Sequence, residues 1–254
     1  MKKKLFCVTM ACSILMSATA CTSMPDMKTA KYADKQKDYE TSIDHYQRLA
    51  EFGLPEAKVE LAKHYLGGKG VEKDPQKALA LFKEANAQKT NKRTADYIVR
   101  SQSQLGALSL TGKPGTLPPQ EGIAFLQKAA EAGDARALFE LGKAYEKGIG
   151  VSRNMETAMD YYSRAGALGY GRADYTRASL YEKGRDVPQD MNQAVALYEM
   201  AAKKDYPRAN LNLARLYEKG MGVEQNLQLA EAYYQKAENQ GIPVDNDQEK
   251  LQKN

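Results

Sequence analysis

The side chains best suited to covalent or metal chemistry are few: two imidazoles, His45 and His64, and three thiols, Cys7, Cys12 and Cys21. His45 shares a repeated position with Leu81, Phe125, Tyr161, Leu197 and Tyr233, and His64 shares one with Leu108, Ala144, Leu180 and Leu216. Both positions are mostly apolar, so both rings are expected to pack rather than to bind a ligand. No HExxH, GxSxG or phosphate-loop motif occurs, and no GxGxxG follows a strand-like run. Carboxylates are abundant, yet none recurs at a core position where burial would prepare it as an acid or base. The chain is therefore expected to be no enzyme and to need no metal and no cofactor.

The thiols belong to the N-terminus. Lys2, Lys3 and Lys4 precede the apolar run LFCVTMACSILM and then SATA, which reads as a positively charged start, a short hydrophobic stretch and a cleavage zone. That run is shorter than the ~20 residues a membrane-spanning helix needs. Cys21 follows the small residues directly and resembles the acylated cysteine of bacterial lipoproteins, although Ala18 stands where leucine is usual. The resemblance implies cleavage before Cys21, acylation of it and, with Thr22 rather than Asp next, an outer-membrane position facing the periplasm. Cys7 and Cys12 leave with the signal, so the mature chain would hold no disulfide of its own. With the three signal lysines removed, the formal charge falls from +5 to +2, which gives nucleic-acid binding no support.

Cationic chemistry is better marked. Arg100, Arg136, Arg172 and Arg208 recur every 36 residues, with Glu56 at the matching place in the first unit. Three residues further on stand Ser103, Phe139, Tyr175 and Leu211, and seven further on Ala107, Lys143, Ser179 and Arg215. Offsets of three and four residues keep such side chains on one helix face. Arg177 stands apart, occupying a position that is otherwise leucine: Leu61, Leu105, Leu141 and Leu213. A guanidinium there must find a partner or reach water, or else project into a groove to meet an acidic group.

The elements that position these residues follow from a repeated phrase: YEKGIGV from Tyr145, YEKGRDV from Tyr181 and YEKGMGV from Tyr217. Its glycine falls in register at Gly68, Gly112, Gly148, Gly184 and Gly220, at intervals of 44, 36, 36 and 36 residues. Small and apolar residues before each glycine fit one stripe of a three-turn helix. Asp74, Asn154, Asp190 and Asn226 lie six residues after it, as N-caps of a second helix, with Pro118 the exception. That helix should bury Ala78, Gly122, Ala158, Ala194 and Ala230, then Phe82, Leu126, Tyr162, Tyr198 and Tyr234. The eight extra residues of the first interval are placed within NAQKTNKRTADYIVR. Units that cannot bury their apolar faces alone must stack.

Units such as ALFELGKAYEKGIGVSRNMETAMDYYSRAGALG resemble the Sel1-like repeat family, relatives of tetratricopeptide repeats. The resemblance covers roughly residues 35–241 and is poorest in the second unit, with Ser109 for tyrosine and Pro114 for glycine. The expected fold is all-α: a right-handed α-solenoid of about five helix-turn-helix repeats behind an N-terminal capping helix. The expected domains are a signal over 1–20, a lipidated tether over 21–34, the cap over 35–56, the repeats over 57–241 and a polar tail over 242–254. In tetratricopeptide-like solenoids the first helices line a concave groove. The candidate binding residues are therefore Arg100, Arg136, Phe139, Arg172, Tyr175, Arg177, Arg208, Leu211 and Arg215. The resemblance implies a protein scaffold that holds other envelope proteins, with exopolysaccharide export as one setting. An anionic polysaccharide or a peptidoglycan fragment is the alternative occupant.

Overall fold

The computed structural model describes residues 24–88, 95–113 and 116–244. All regular structure among them is helical. An N-terminal pair, α1 (Met27–Lys35) and α2 (Tyr39–Glu51), precedes five units. Unit one is α3 (Pro55–Gly67) and α4 (Pro75–Asn86), and unit two is α5 (Ala95–Ser109) and α6 (Pro119–Glu131). Unit three is α7 (Ala135–Lys147) and α8 (Met155–Ala167), and unit four is α9 (Gly171–Lys183) and α10 (Met191–Lys203). Unit five is α11 (Pro207–Lys219) and α12 (Leu227–Asn239).

The repeated phrase is the end of a first helix and the turn after it. Gly148 caps α7 in the left-handed region at φ 70°, where a side chain would add strain. The turn closes when the backbone N–H of the next N-cap donates to the tyrosine carbonyl: Asn154 to Tyr145, 2.9 Å, and Asn226 to Tyr217, 2.9 Å. Asp74, Asn154, Asp190 and Asn226 then accept backbone N–H groups of the following helix through their side chains, as expected. Pro118 makes no such bond. The second glycine of the phrase serves packing: a Cβ on Gly222 would lie 2.7 Å from the backbone of Met191, the first residue of α10. Unit four has Asp186 at that place, held at φ 63° and paired with Arg153 at 2.6 Å.

The expected core is the observed one, with Ala85, Ala129, Ala165, Ala201 and Ala237 fully enclosed and Phe82, Leu126, Tyr162 and Tyr198 beside them. The glutamate of YEKG has a task that spacing did not reveal. Glu146, Glu182 and Glu218 accept the buried hydroxyls of Tyr162, Tyr198 and Tyr234, the last at 2.7 Å. Units one and two, whose second helices carry Phe82 and Leu126 instead, have Leu66 and Leu110 in place of the glutamate.

Two expectations about the N-terminus need correction. The segment expected as a loose tether carries α1, whose Ala30 and Ala33 are buried against α2. The capping helix is consequently half of a sixth helical pair. Asp26 caps α1 through the backbone N–H groups of Lys28 and Thr29, a start signal that a short polar stretch hid. Of the extra residues of the first interval, two lengthen α5, which has 15 residues against 13 in the other first helices. Residues 89–94, Pro114, the signal, Cys21 and the tail from 245 lie outside the described residues.

Candidate functional site

First helices touch one another in the first three units, α3 with α5 and α5 with α7, whereas second helices have no comparable contact. A stack that is tighter on one side curves toward it, so α3, α5 and α7 form the inner layer of those units. Along the first helices Arg100, Arg136, Arg172 and Arg208 are all exposed. Arg136, Arg172 and Arg208 are each the second residue of a helix, where a cation opposes the positive end of the helix dipole. None of the four forms an ion pair among the described residues. Packed helices lie ~10 Å apart, which sets the scale of the spacing between successive guanidinium groups.

The apolar residues beside this row are placed differently from the expectation. Phe139 is only 2% exposed, packed against the Tyr162 and Tyr170 rings at 5.4 and 5.2 Å. It offers a partner no contact area. It supports the cations instead, with the Arg172 guanidinium 5.1 Å from the ring centre and Lys143 Nζ 5.7 Å from it, distances at which ring and cation attract. Tyr175 is half-buried against Tyr198 and Tyr206. Burial pushes its hydroxyl pKa up, and Arg208 pulls it back. Leu211 is half-buried and Arg215 is exposed.

Sequence spacing missed the acids of the inner layer. Lys143 Nζ pairs with Glu140 at 2.6 Å and Lys63 with Glu60 at 2.8 Å. Glu140 is buried, so it removes Lys143 in part from the cationic row. A hollow of about 190 Å³ lies here, lined by Ala107, Leu110, Glu140, Lys143, Lys147 and Ile149 among others. Near the start of the row the Tyr97 hydroxyl is pushed up to about 12, by burial first and by its hydrogen bond to Glu56 second.

Arg177 does not stand with the exposed arginines. Its Nη1 lies 3.8 Å from Asp174 Oδ1, and its side chain is 17% exposed. Asp174 is 1% exposed and makes a closer ion pair with Lys204, whose Nζ also donates to the Gly166 carbonyl at 2.8 Å. This triad, built on the buried Asp174, joins α8, α9 and the end of α10. A Cβ on Gly166 would overlap the Asp174 carboxylate.

The two histidines are buried and polar-bonded. His64 Nδ1 lies 2.8 Å from the Lys69 carbonyl oxygen and Nε2 3.2 Å from Asp34. His45 Nδ1 accepts the Asp26 N–H at 3.0 Å. Among the described residues no group of three or more His, Cys, Asp or Glu side chains is placed to hold a metal ion, and no helix is long and apolar enough to cross a membrane.

Comparison with known proteins adds a family and several relatives. The family described as Sel1 repeat matches residues 55–89, 99–134, 135–170, 173–206 and 207–242. The chain is 27% identical over 161 residues to the DAP3-binding cell death enhancer 1 of Mus musculus, covering 52% of this chain and 31% of that protein. It is 30% identical over 135 residues to the alginate biosynthesis protein AlgK of Pseudomonas syringae pv. tomato, covering 52% of this chain and 26% of AlgK. The chain thus spans about a third or less of the length of these curated relatives. The crystal structure of a Sel1 repeat protein from Oxalobacter formigenes superposes with a TM-score of 0.69 at 25% identity, covering 85% of both chains.

Proposed function

The chain belongs to the Sel1 repeat family, and from that premise we propose that it is a non-catalytic, outer-membrane lipoprotein facing the periplasm. It holds an envelope assembly together by seating an acidic, partly apolar segment of a partner protein along its inner layer. The observation that carries this reading is the row formed by Arg100, Arg136, Arg172 and Arg208. Four guanidinium groups in register, exposed and free of carboxylates, are available to a partner, and arginine is a strong interface donor. Acylation of Cys21 supplies the membrane attachment. The likeness to an alginate biosynthesis protein supports exopolysaccharide secretion as the setting.

A second reading has its own support: the same unpaired cations suit a polyuronate or another anionic glycan directly. Against it, glycan sites stack sugars on exposed aromatic faces, whereas Phe139 is buried, Tyr175 is half-buried and the chain has no tryptophan. Detergent extraction with crosslinking, followed by identification of what is captured, tests both readings. The Arg136→Glu, Arg172→Glu double variant is expected to lose protein capture at unchanged helicity. Capture that survives the double change contradicts the proposal. Salt-sensitive binding of a purified polyuronate with no protein captured replaces it with the glycan reading.

A further inference from the structure

Exposed apolar surface is unevenly distributed. Of eight large hydrophobic side chains exposed among the described residues, four fall within residues 24–54: Met24, Tyr32, Phe52 and Leu54. Met24 is 88% exposed and Phe52 77%, the two highest values. The opposite end of the solenoid is more polar: unit five exposes Met221 and Leu227, less fully than Met24 and Phe52, and α12 otherwise turns Gln228, Glu231, Gln235 and Glu238 to solvent. Clustering of this kind marks an interaction surface.

The N-terminal pair places the cluster. The N–H of Asp26, just before α1, donates to His45 in the second half of α2. Asp34, near the end of α1, accepts from Ser42 at the start of α2. The two helices therefore run antiparallel, and Phe52 leaves α2 on the side where the chain enters α1. Lys31 pairs with Glu56, the second residue of α3, which fixes α1 beside the turn that carries Phe52 and Leu54. Cys21 precedes Met24 by three residues, a span of at most ~10 Å.

The geometry points to a phospholipid surface as the partner of this patch, an inference that rests on the acylation of Cys21 proposed above. Acyl chains on Cys21 fix that residue at the membrane, and the first packed helix begins at Met27. The two lie six residues apart, at most ~20 Å of chain, which keeps the entry end of the solenoid within reach of the headgroups. Its entry end rests on the headgroups, and Met24 and Phe52 enter the boundary between headgroup and acyl chain, where amphipathic surfaces bind. Lys28, Lys31, Lys35 and Lys37 are exposed on α1 and just after it. Three acids stand among them, Asp26 and Asp38 as the caps of α1 and α2 and Asp34 with Ser42 and His64, and Lys31 is paired with Glu56. The apolar side chains rather than net charge therefore carry the contact. Lys28, Lys35 and Lys37 form no ion pair among the described residues and are the cations left to meet headgroup phosphates. The anchor thereby fixes the orientation of the inner layer as well as its distance from the membrane.

The test uses the acylated full chain in vesicles of phosphatidylethanolamine and phosphatidylglycerol that carry a doxyl-labelled lipid. An environment-sensitive fluorophore is attached at Phe52→Cys or, as control, at Leu227→Cys, which is exposed on α12. Acylation of Cys21 is read separately from the mass of the mature protein. The expected result is a blue-shifted label at position 52, quenched severalfold more strongly than the label at 227. An acylated chain with equal, weak quenching at both positions overturns the membrane contact and leaves the anchor standing. A mature chain without acyl mass on Cys21 overturns the anchor, and this inference with it.

Discussion

In unit four the positions ten and seven residues before the repeat glycine, and twenty after it, hold Asp174, Arg177 and Lys204; in unit five they hold Asn210, Leu213 and Gln240. The geometry is shared and the chemistry is not. Lys204 binds a buried carboxylate in one unit, and Asn210 Nδ2 donates to Gln240 Oε1 at 2.8 Å in the next. Unit three buries Leu138 and Leu141 at the first two places and leaves Leu168 exposed at the third, with no bridge between them. The helix-turn-helix frame therefore holds an ionic bridge, an amide bridge or none, according to the residue at the first place. The residue of the preceding unit changes too, being Gly166 before the ionic filling and Ala202 before the amide one.

Breaking the ionic set should cost most. Lys204→Ala leaves Asp174 buried with only the distant Arg177, and a loss of about 3 kcal/mol in urea unfolding is expected. Gly166→Ala should destabilise the native protein by about 2 kcal/mol, since its Cβ displaces the Asp174 carboxylate. The matching cut in unit five, Gln240→Ala, should cost about 1 kcal/mol, the value of one amide hydrogen bond. The comparison is sharpest in a graft: Asp174→Asn, Arg177→Leu and Lys204→Gln together should restore stability to within about 1 kcal/mol of the native protein. Gly166→Ala should then be tolerated. A graft as unstable as Lys204→Ala would show that the ionic and amide sets are not interchangeable.

A smaller effect separates units three to five from the first two. Tyr162→Phe removes a hydroxyl that Glu146 accepts and should cost about 1 kcal/mol, with the glutamate remaining free to turn toward water. Burial first, and the neighbouring glutamates second, push the hydroxyls of Tyr162 and Tyr198 well above the ordinary value of 10.0. Unfolded tyrosines ionise near that value and the folded ones resist, so stability should fall as pH rises past it. The fall should be shallower in the Tyr162→Phe variant, which an alkaline unfolding series would show.

The fold was legible because glycine, N-cap and alanine spacings all report the same local requirement, a helix end and a close helix contact. The N-terminal pair was read only in half: α1 is short and lacks the repeat glycine, and its apolar contacts rest on Ala30, Ala33 and the partly buried Met27. The row of arginines was legible as a spacing and is exposed in the structure. What spacing could not supply was depth. It placed Phe139 beside the arginines as a contact residue, whereas it lies beneath Arg172, and it set Arg177 among them although Asp174 holds it. The one signal for the triad was Arg177, which alone leaves a position that is otherwise leucine. Asp174 and Lys204 stand where other units carry Lys58, Gln102 and Asn210, or Gln88 and Gln240, so their burial could not be read from the pattern.

The claim that the inner layer is the working surface is tested most directly by a photo-crosslinking amino acid placed at Lys143, beside the Arg136 and Arg172 row. The control position is Met200, exposed on the second helix of unit four. In cells, the label at 143 is expected to give a discrete adduct with an envelope protein that disappears in the Arg136→Glu, Arg172→Glu background, while the label at 200 gives none. An adduct from position 200 alone, or one from 143 that persists in that background, would contradict the account.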